Sequence, residues 1–339
     1  MSENTYIVWD LGATKCAAAL VMVNAGQYTI LKSHRVKLKS FQSLDDMAAA
    51  LHEALGVRPF DVDGICIAAA GQYNGCELIL DSQYPYPMKF ADLAQRQQWA
   101  VFTVIHDYTP IVCSTYVEQS NVDNVMTLNA GLMDPWGHRV AFGVGSGLGV
   151  KHAVKLASGQ LALGINEMGH IGLGWPPRMT LDEETVHSNL MRFLVRQRSL
   201  RGNDMTFESI LSGRGLARIY QFVTGRKAPL SPEETAAEIQ ASGEQETLSL
   251  FAWYLGVFIG TLQLTFMPAA GVWMYGGVIH KNLILFEEPY LYNLQRGIKS
   301  CGAYWERRQH FPLHVLIGQE HAFLGAAYYA QQHLVAVAA

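Results

Sequence analysis

Apolar and polar positions along the chain fall into two rhythms. Over Tyr6–Gly12, Ala17–Val23 and Tyr28–Leu38, strand-length apolar stretches are closed by turn residues, Gly12 and the Asn24-Ala25-Gly26 segment. That punctuation predicts three strands joined as hairpins. Ser43–Leu55 changes to a helical period, with Ser43 placed to cap the helix and Asp45 and Asp46 in its first turn. Asp63–Ala70 is a short apolar run ending in small residues, which predicts a buried strand. A further strand is predicted over Val101–Ile105, ending in the polar pair His106-Asp107, with a helix over Pro110–Glu118 behind it.

The mostly polar stretch Gln119–Asn124 predicts a crossing into a second lobe. Beyond it, Val125–Asn129, Arg139–Gly143 and Val150–Leu156 read as strands, with a glycine-dense loop before the last. Asp182–Arg198 and Ser231–Ser242 carry helical signals, the second bracketed by Pro229, Pro232 and Gly243. No fixed-period repeat is present, but each lobe opens with strand pairs around a turn containing Gly and Ser or Thr. The alternation of strands and helices predicts an α/β protein with mixed sheets.

Composition narrows the class. The chain has 339 residues, half of them apolar and 16% charged, which suits a globular protein with two cores. Its formal net charge of −4 offers no general basic surface, so neither nucleic acid nor an anionic membrane is an expected partner. The short polar start before Tyr6 is unlike a secretory leader. The apolar stretch Leu248–Met267 invites a membrane reading, yet Gly256, Gly260, Gln263 and Thr265 interrupt it, and a buried helix is the expectation. The five cysteines are scattered without a CxxC pair, which predicts thiols of a reducing compartment, a cytoplasmic location, and neither zinc nor disulfides.

Four constellations carry candidate chemistry. Asp10-Leu11-Gly12-Ala13-Thr14-Lys15 lies at the tip of the first hairpin, where a glycine turn and the Thr14 hydroxyl suit a phosphate. The Asp10 carboxylate there suits Mg²⁺ held through water; a plain surface hairpin is the competing reading. Gly143-Val144-Gly145-Ser146-Gly147-Leu148-Gly149 has little side-chain obstruction, so a ligand's phosphates could approach its backbone. A dinucleotide fingerprint is the rival, but the loop leads toward a strand and not a helix. Glu167-Met168-Gly169-His170 could bind neighbouring hydroxyls of a polyol, and metal binding lacks further ligands at suitable spacing. Asp107, at a strand's C-terminal end, could accept a proton from a hydroxyl nucleophile or merely cap the following helix.

In this order and spacing the pieces resemble the sugar kinases of the hexokinase–actin-like ATPase superfamily, and most of all the bacterial glucokinase family. The pattern runs through His106–Thr109, Phe142–Val150, Glu167–His170, Glu208–Leu216, Gly271–Ile279 with Gly276-Gly277, and Leu324–Ala327, nearly the whole chain. The resemblance implies two actin-like (ribonuclease H-like) α/β lobes with a nucleotide and sugar cleft between them. The small lobe would cover 1–117 with a returning C-terminal helix over 320–339, and the large lobe 118–319. It implies ATP and Mg²⁺ as cofactors and Asp107 as the base. Glu167, His170 and Glu208 would hold sugar hydroxyls. Asp10, Gly12, Thr14 and Lys15 would line the first phosphate turn, Gly145, Ser146 and Gly147 the second, and Gly276 and Gly277 the adenosine side.

Departures from the family pattern are informative. Ala13 stands where a second glycine is usual, and Lys15 where Asn is frequent. His106 replaces an Asn, and Asp81-Ser82 replaces a sugar-contacting Thr-Asn pair, so His106 and Ser82 are candidate substrate contacts. The expected reaction is phosphorylation of a hexose, glucose foremost. The alternatives are another hexose or an amino sugar as acceptor, or a sugar-sensing protein on the same fold. A homodimer is compatible with these features.

Overall fold

A computed structural model describes residues 3–80, 84–117, 124–201, 205–318 and 320–334. Asp81, Ser82, Glu118, the stretch 119–123 and the end of the expected last helix, 335–339, lie outside the described residues. The chain divides into two compact units, Met1–Val125 with Gly318–Ala339, and Met126–Ile317.

In the first unit, β1 (Asn4–Leu11), β2 (Lys15–Asn24) and β3 (Gln27–Lys37) form the predicted antiparallel meander. On the other side of β1 lie β4 (Gly64–Ala69) and β7 (Phe102–His106), both parallel to their neighbours, in the order β3-β2-β1-β4-β7. A small hairpin of β5 (Gly71–Tyr73) and β6 (Leu78–Leu80) stands apart from this sheet. Because side chains alternate along a strand, β1 serves two cores. Ile7, Trp9 and Leu11 pack with Leu44, Met47 and Leu51 of α1 (Leu44–Leu55), while Tyr6 and Val8 pack with Leu324, Ala327 and Ala330 of the last described helix, His321–His333. The result is a three-layer α/β/α sandwich. Ser43 caps α1 as expected, its hydroxyl accepting the Asp46 N–H at 3.0 Å. The helix after β7 is shorter than the sequence suggests, α3 covering only Thr109–Ser114 (α2 is Phe90–Arg96). Cys113 and Ser114 are already buried there, and from Thr115 to Val117 the bonding tightens from α-helical to a three-residue spacing.

The second unit repeats the plan. Its sheet runs β11-β10-β9-β12-β13-β8, where β9 (Arg139–Val144) and β10 (Leu148–Lys155) form a hairpin and β11 (Leu161–Gly164) extends it. Parallel to β9 lies β12 (Val272–Tyr275), and parallel to β12 lies β13 (Leu313–Leu316); β8 (Val125–Asn129) closes the edge. Read from β9 outward, the order and directions match those of the first sheet read from β1, without any sequence repeat to announce them. Four helices precede β12: α4 (Leu181–Arg201), α5 (Gly213–Thr224), α6 (Pro232–Ser242) and α7 (Glu246–Phe266). α7 is long and apolar enough to cross a membrane but is mostly buried in this core. It packs against the later helix Tyr290–Ser300 so closely that a Cβ on Gly256 would meet the Leu294 carbonyl oxygen at 2.0 Å.

Beneath β1, His52 sits among Trp9 and Trp99, with ring centroids 5.9 and 6.0 Å away, and its Nε2 has no partner among the described residues. Burial pushes this imidazole down to about 4. An unfolded histidine titrates near ~6.5, so the unfolded chain binds the extra proton first. The stability it contributes is complete above that value and is lost as pH falls toward 4, up to about 3 kcal/mol. His52→Leu is therefore expected to flatten the acid limb of the unfolding midpoint between pH 6.5 and 4. Equal slopes for wild type and variant in thermal denaturation would contradict this. His314, stacked on Trp273 in the second unit, is pushed the same way by burial and by Arg139.

Candidate active site

In the first unit the chemistry gathers where three parallel strands end. Asp10 of β1 is in register with Ala68 of β4, and Ala69 with His106 of β7, so Asp10 and Asp107 flank the end of β4. The Asp107 N–H is tied to the Ala69 carbonyl at 3.1 Å and the Ala70 N–H to that of Leu11 at 2.9 Å, which fixes the strand ends relative to one another. Asp10 is half-buried, and its carboxyl is pushed up to about 6, chiefly by burial and then by the Asp107 charge, against a lowering influence of Arg35. Arg35 escaped the sequence analysis. The register Asp10–Ala17–Arg35 across β1, β2 and β3 places it in the same row.

The Asp107 side chain is not spent on helix capping. The residue at the N-cap of α3 is Tyr108, without a side-chain cap bond, and the polar neighbour of the Asp107 carboxylate is His106 Nδ1 at 3.0 Å. Nδ1 also lies 3.3 Å from the Tyr108 N–H. A proton on Nδ1 serves the carboxylate, and an empty Nδ1 serves the N–H; the two partners call for opposite ring states.

Gly12 and Thr14 occupy the β1–β2 turn, and Lys15 opens β2. The N–H of Gly12 does not face outward as expected, since it closes the turn on the Lys15 carbonyl at 3.0 Å. The N–H groups of Ala13 and Thr14 have no partner among the described residues, and the Thr14 and Lys15 side chains are exposed.

In the second unit the expected seven-residue loop is tighter than its glycines suggest. Gly143 and Gly149 pair with each other inside β9 and β10, leaving the three-residue turn Gly145-Ser146-Gly147. The Gly145 N–H bonds to Gly147 O at 2.9 Å, while those of Ser146 and Gly147 are unbonded among the described residues. Three other segments crowd this turn, each through a glycine. A Cβ on Gly147 would lie 2.7 Å from Glu208 Oε2, one on Gly169 1.9 Å from Leu148 O, and one on Gly276 2.4 Å from Val144 O. Gly276 also has φ +113°, which side-chain-bearing residues rarely adopt.

The bare backbone at Gly147 lets the Glu208 carboxylate accept the Leu148 N–H at 2.9 Å. The Glu208 N–H in turn bonds to the Gly169 carbonyl, also at 2.9 Å, and His170 Nε2 stands 4.0 Å from Glu208 Oε2. Glu208, His170 and the glycine turn thus form one assembly, with Glu167 exposed beside it and Gly277 exposed beyond Gly276. Arg214, on the first turn of α5, is exposed one residue from the bond between the Gly213 N–H and the Gly145 carbonyl at 2.8 Å; its cationic character near this turn was not foreseen. Ser82 lies outside the described residues.

Two units built on one strand plan, one with acids at its strand ends and the other with a glycine turn locked to a carboxylate, define a sugar kinase of the actin-like ATPase fold. A family model described as Glucokinase matches residues 7–333. A glucokinase of Saccharophagus degradans is 25% identical over 338 residues, covering 96% of this chain and 98% of that protein. Among solved structures, a glucokinase from an Antarctic psychrotroph superposes with a TM-score of 0.77 at 21% identity, covering 97% of this chain and 99% of that one. A ROK family glucokinase from Streptomyces griseus, in complex with glucose and AMPPNP, gives 0.60 at 18% identity, covering 98% and 99%. The chain belongs to the glucokinase family.

Proposed function

We propose that this enzyme transfers the γ-phosphoryl group of Mg·ATP to a hydroxyl of a hexose, glucose foremost and its primary 6-hydroxyl in particular. The observation that carries this reading is the Asp107 carboxylate, held at a strand end by backbone bonds yet not consumed by a helix cap. It would accept the proton of the sugar hydroxyl as that oxygen attacks the γ-phosphorus and ADP departs. His106 would orient the carboxylate. Glu208 would bind sugar hydroxyls together with His170 and Glu167, its position set by the Leu148 N–H. The unbonded N–H groups of Ser146 and Gly147, and of Ala13 and Thr14, would stabilise phosphate charge, with Lys15 nearby and Gly276-Gly277 on the adenosine side.

The donor set suits Mg²⁺. The Asp107 charge raises the cost of ionising Asp10, and no cluster of three or more candidate ligands exists among the described residues. A hard cation there would offset that cost and fill its shell from phosphate oxygens and water. Asp10 would hold the ion through water, and the ion would offset the phosphate charge. The family name and the S. griseus complex support glucose and ATP as substrates.

A different hexose is the second reading, favoured by the imidazole of His106 standing beside the base. The test is ADP release with Mg·ATP across glucose, other hexoses and amino sugars. Stimulation greatest with glucose is the expected result. Stimulation by another sugar alone transfers the assignment to that sugar, and none above the ATPase background refutes the kinase reading.

A further inference from the structure

A cavity of about 520 Å³ lies within the second unit, lined along the helix Tyr290–Ser300, by Gln263 near the end of α7, by residues of β8 and β13, and by the segment between Trp305 and Phe311. None of the residues implicated in phosphoryl transfer lines it. Its charged lining is cationic throughout, consisting of Arg296, Lys299 and Arg308, and its walls include Trp305 and Tyr292. Arg296 is already paired with Glu183 at 2.9 Å. The other two cations have no carboxylate partner among the described residues.

Arg308 is the unusual member. It is fully buried, and a buried guanidinium is ordinarily matched by a carboxylate. Here the Nε–H donates to the Ala303 carbonyl at 2.8 Å, and Nη1 donates to Gln263 Oε1 at 3.0 Å and to the Ile298 carbonyl at 3.3 Å. All three acceptors are neutral. Nη2 is buried without any partner among the described residues. Tying the helix end explains three of these donors and leaves the charge and Nη2 unanswered. Lys299 Nζ and the Arg308 guanidinium both lie within 6 Å of the Trp305 ring, at 5.9 and 5.8 Å, so one indole borders both charges. The nearest acid in sequence, Glu306, bonds to the Gln309 amide and is not part of the lining.

We propose that this cavity is a second, non-catalytic binding site for a small phosphate monoester. A dianion matches two uncompensated cations: the exposed Lys299 ammonium supplies a donor to the phosphate, and Arg308, buried in the wall, supplies the second positive charge. Trp305 and Tyr292 offer apolar surface to the organic part, and the volume falls within the ~300–1,000 Å³ usual for small-molecule sites. Close contact between α7 and Tyr290–Ser300 keeps the walls preformed.

Phenyl phosphate is the probe. Calorimetric titration of the full chain should show saturable binding at one site that phenol does not reproduce. Lys299 is exposed, so Lys299→Glu should fold normally, weaken that binding about tenfold or more, and leave kcat/KM unchanged. Arg308→Met should weaken it as well, and any instability of that variant leaves the Lys299 result decisive. Absence of saturable binding to wild type overturns the proposal. So does binding that survives Lys299→Glu but disappears when AMPPNP is present, since the probe would then occupy the nucleotide site.

Discussion

Asp107→Asn is expected to lower kcat by about two to four orders of magnitude while leaving KM for ATP and sugar little changed. The amide keeps the shape of the carboxylate, and the backbone tie to Ala69 does not involve the side chain. What disappears is the acceptor for the hydroxyl proton. A structural role would show differently, as a lower unfolding midpoint with near-normal turnover of the folded fraction. Steady-state kinetics beside thermal denaturation of the same sample separate the two, and near-wild-type kcat would remove Asp107 from the mechanism.

The second large effect concerns Asp10, and it has opposite signs for turnover and for stability. Its carboxyl is raised from 3.8 to about 6 in the folded chain. The folded state therefore holds a proton that the unfolded state has released between those values. Folding stability falls as pH rises through that window, and above it a penalty of up to about 3 kcal/mol persists. Asp10→Asn removes the penalty, so at pH 7 to 8 the variant should unfold several degrees above wild type while its Mg-dependent turnover collapses. The gap should close as pH approaches 4. A constant gap across pH, or a variant less stable at pH 8, would show that Asp10 is not strained by burial and its neighbour. The buried histidines act against this trend, since His52 and His314 lose stability over much the same acid range. The His52→Leu background therefore makes the Asp10 term easier to isolate.

Much of the local structure was legible because it is written in local chemistry. The apolar runs of β1, β4 and β9, the Ser43 cap and the helix bracketed by Pro232 and Gly243 each need only neighbouring residues, and each appears where the pattern puts it. The end of α3 did not follow from periodicity, because after Ser114 the backbone bonds tighten to a three-residue spacing, with the N–H groups of Thr115, Tyr116 and Val117 going to the carbonyls of Val112, Cys113 and Ser114. The matching strand orders of the two sheets are non-local pairings that hydrophobic alternation does not encode. The candidate site shows the same division. Strand-end Asp107 and the glycine turn stand out as motifs, but the reasons for Gly147, Gly169 and Gly276 lie in Glu208, Leu148 and Val144, residues between 21 and 132 positions away. The raised Asp10 carboxyl and the row that brings Arg35 toward it likewise depend on strand register.

The sandwich of the first unit has a consequence for how the chain is made. One face of its sheet is covered by α1, which follows within the first 55 residues, but the other is covered by the helix His321–His333. A ribosome therefore releases the whole of Met126–Ile317 before the segment that completes the first unit exists. At a synthesis rate of about 5–20 residues per second, the intervening unit takes roughly 10–40 s to make, and the face stays open for all of that time. Through that interval Tyr6, Val8, Val21 and Cys66 wait for the apolar face that Leu324, Ala327 and Ala330 will bring. The nascent chain thus exposes an apolar face of its earliest sheet until its last helix emerges.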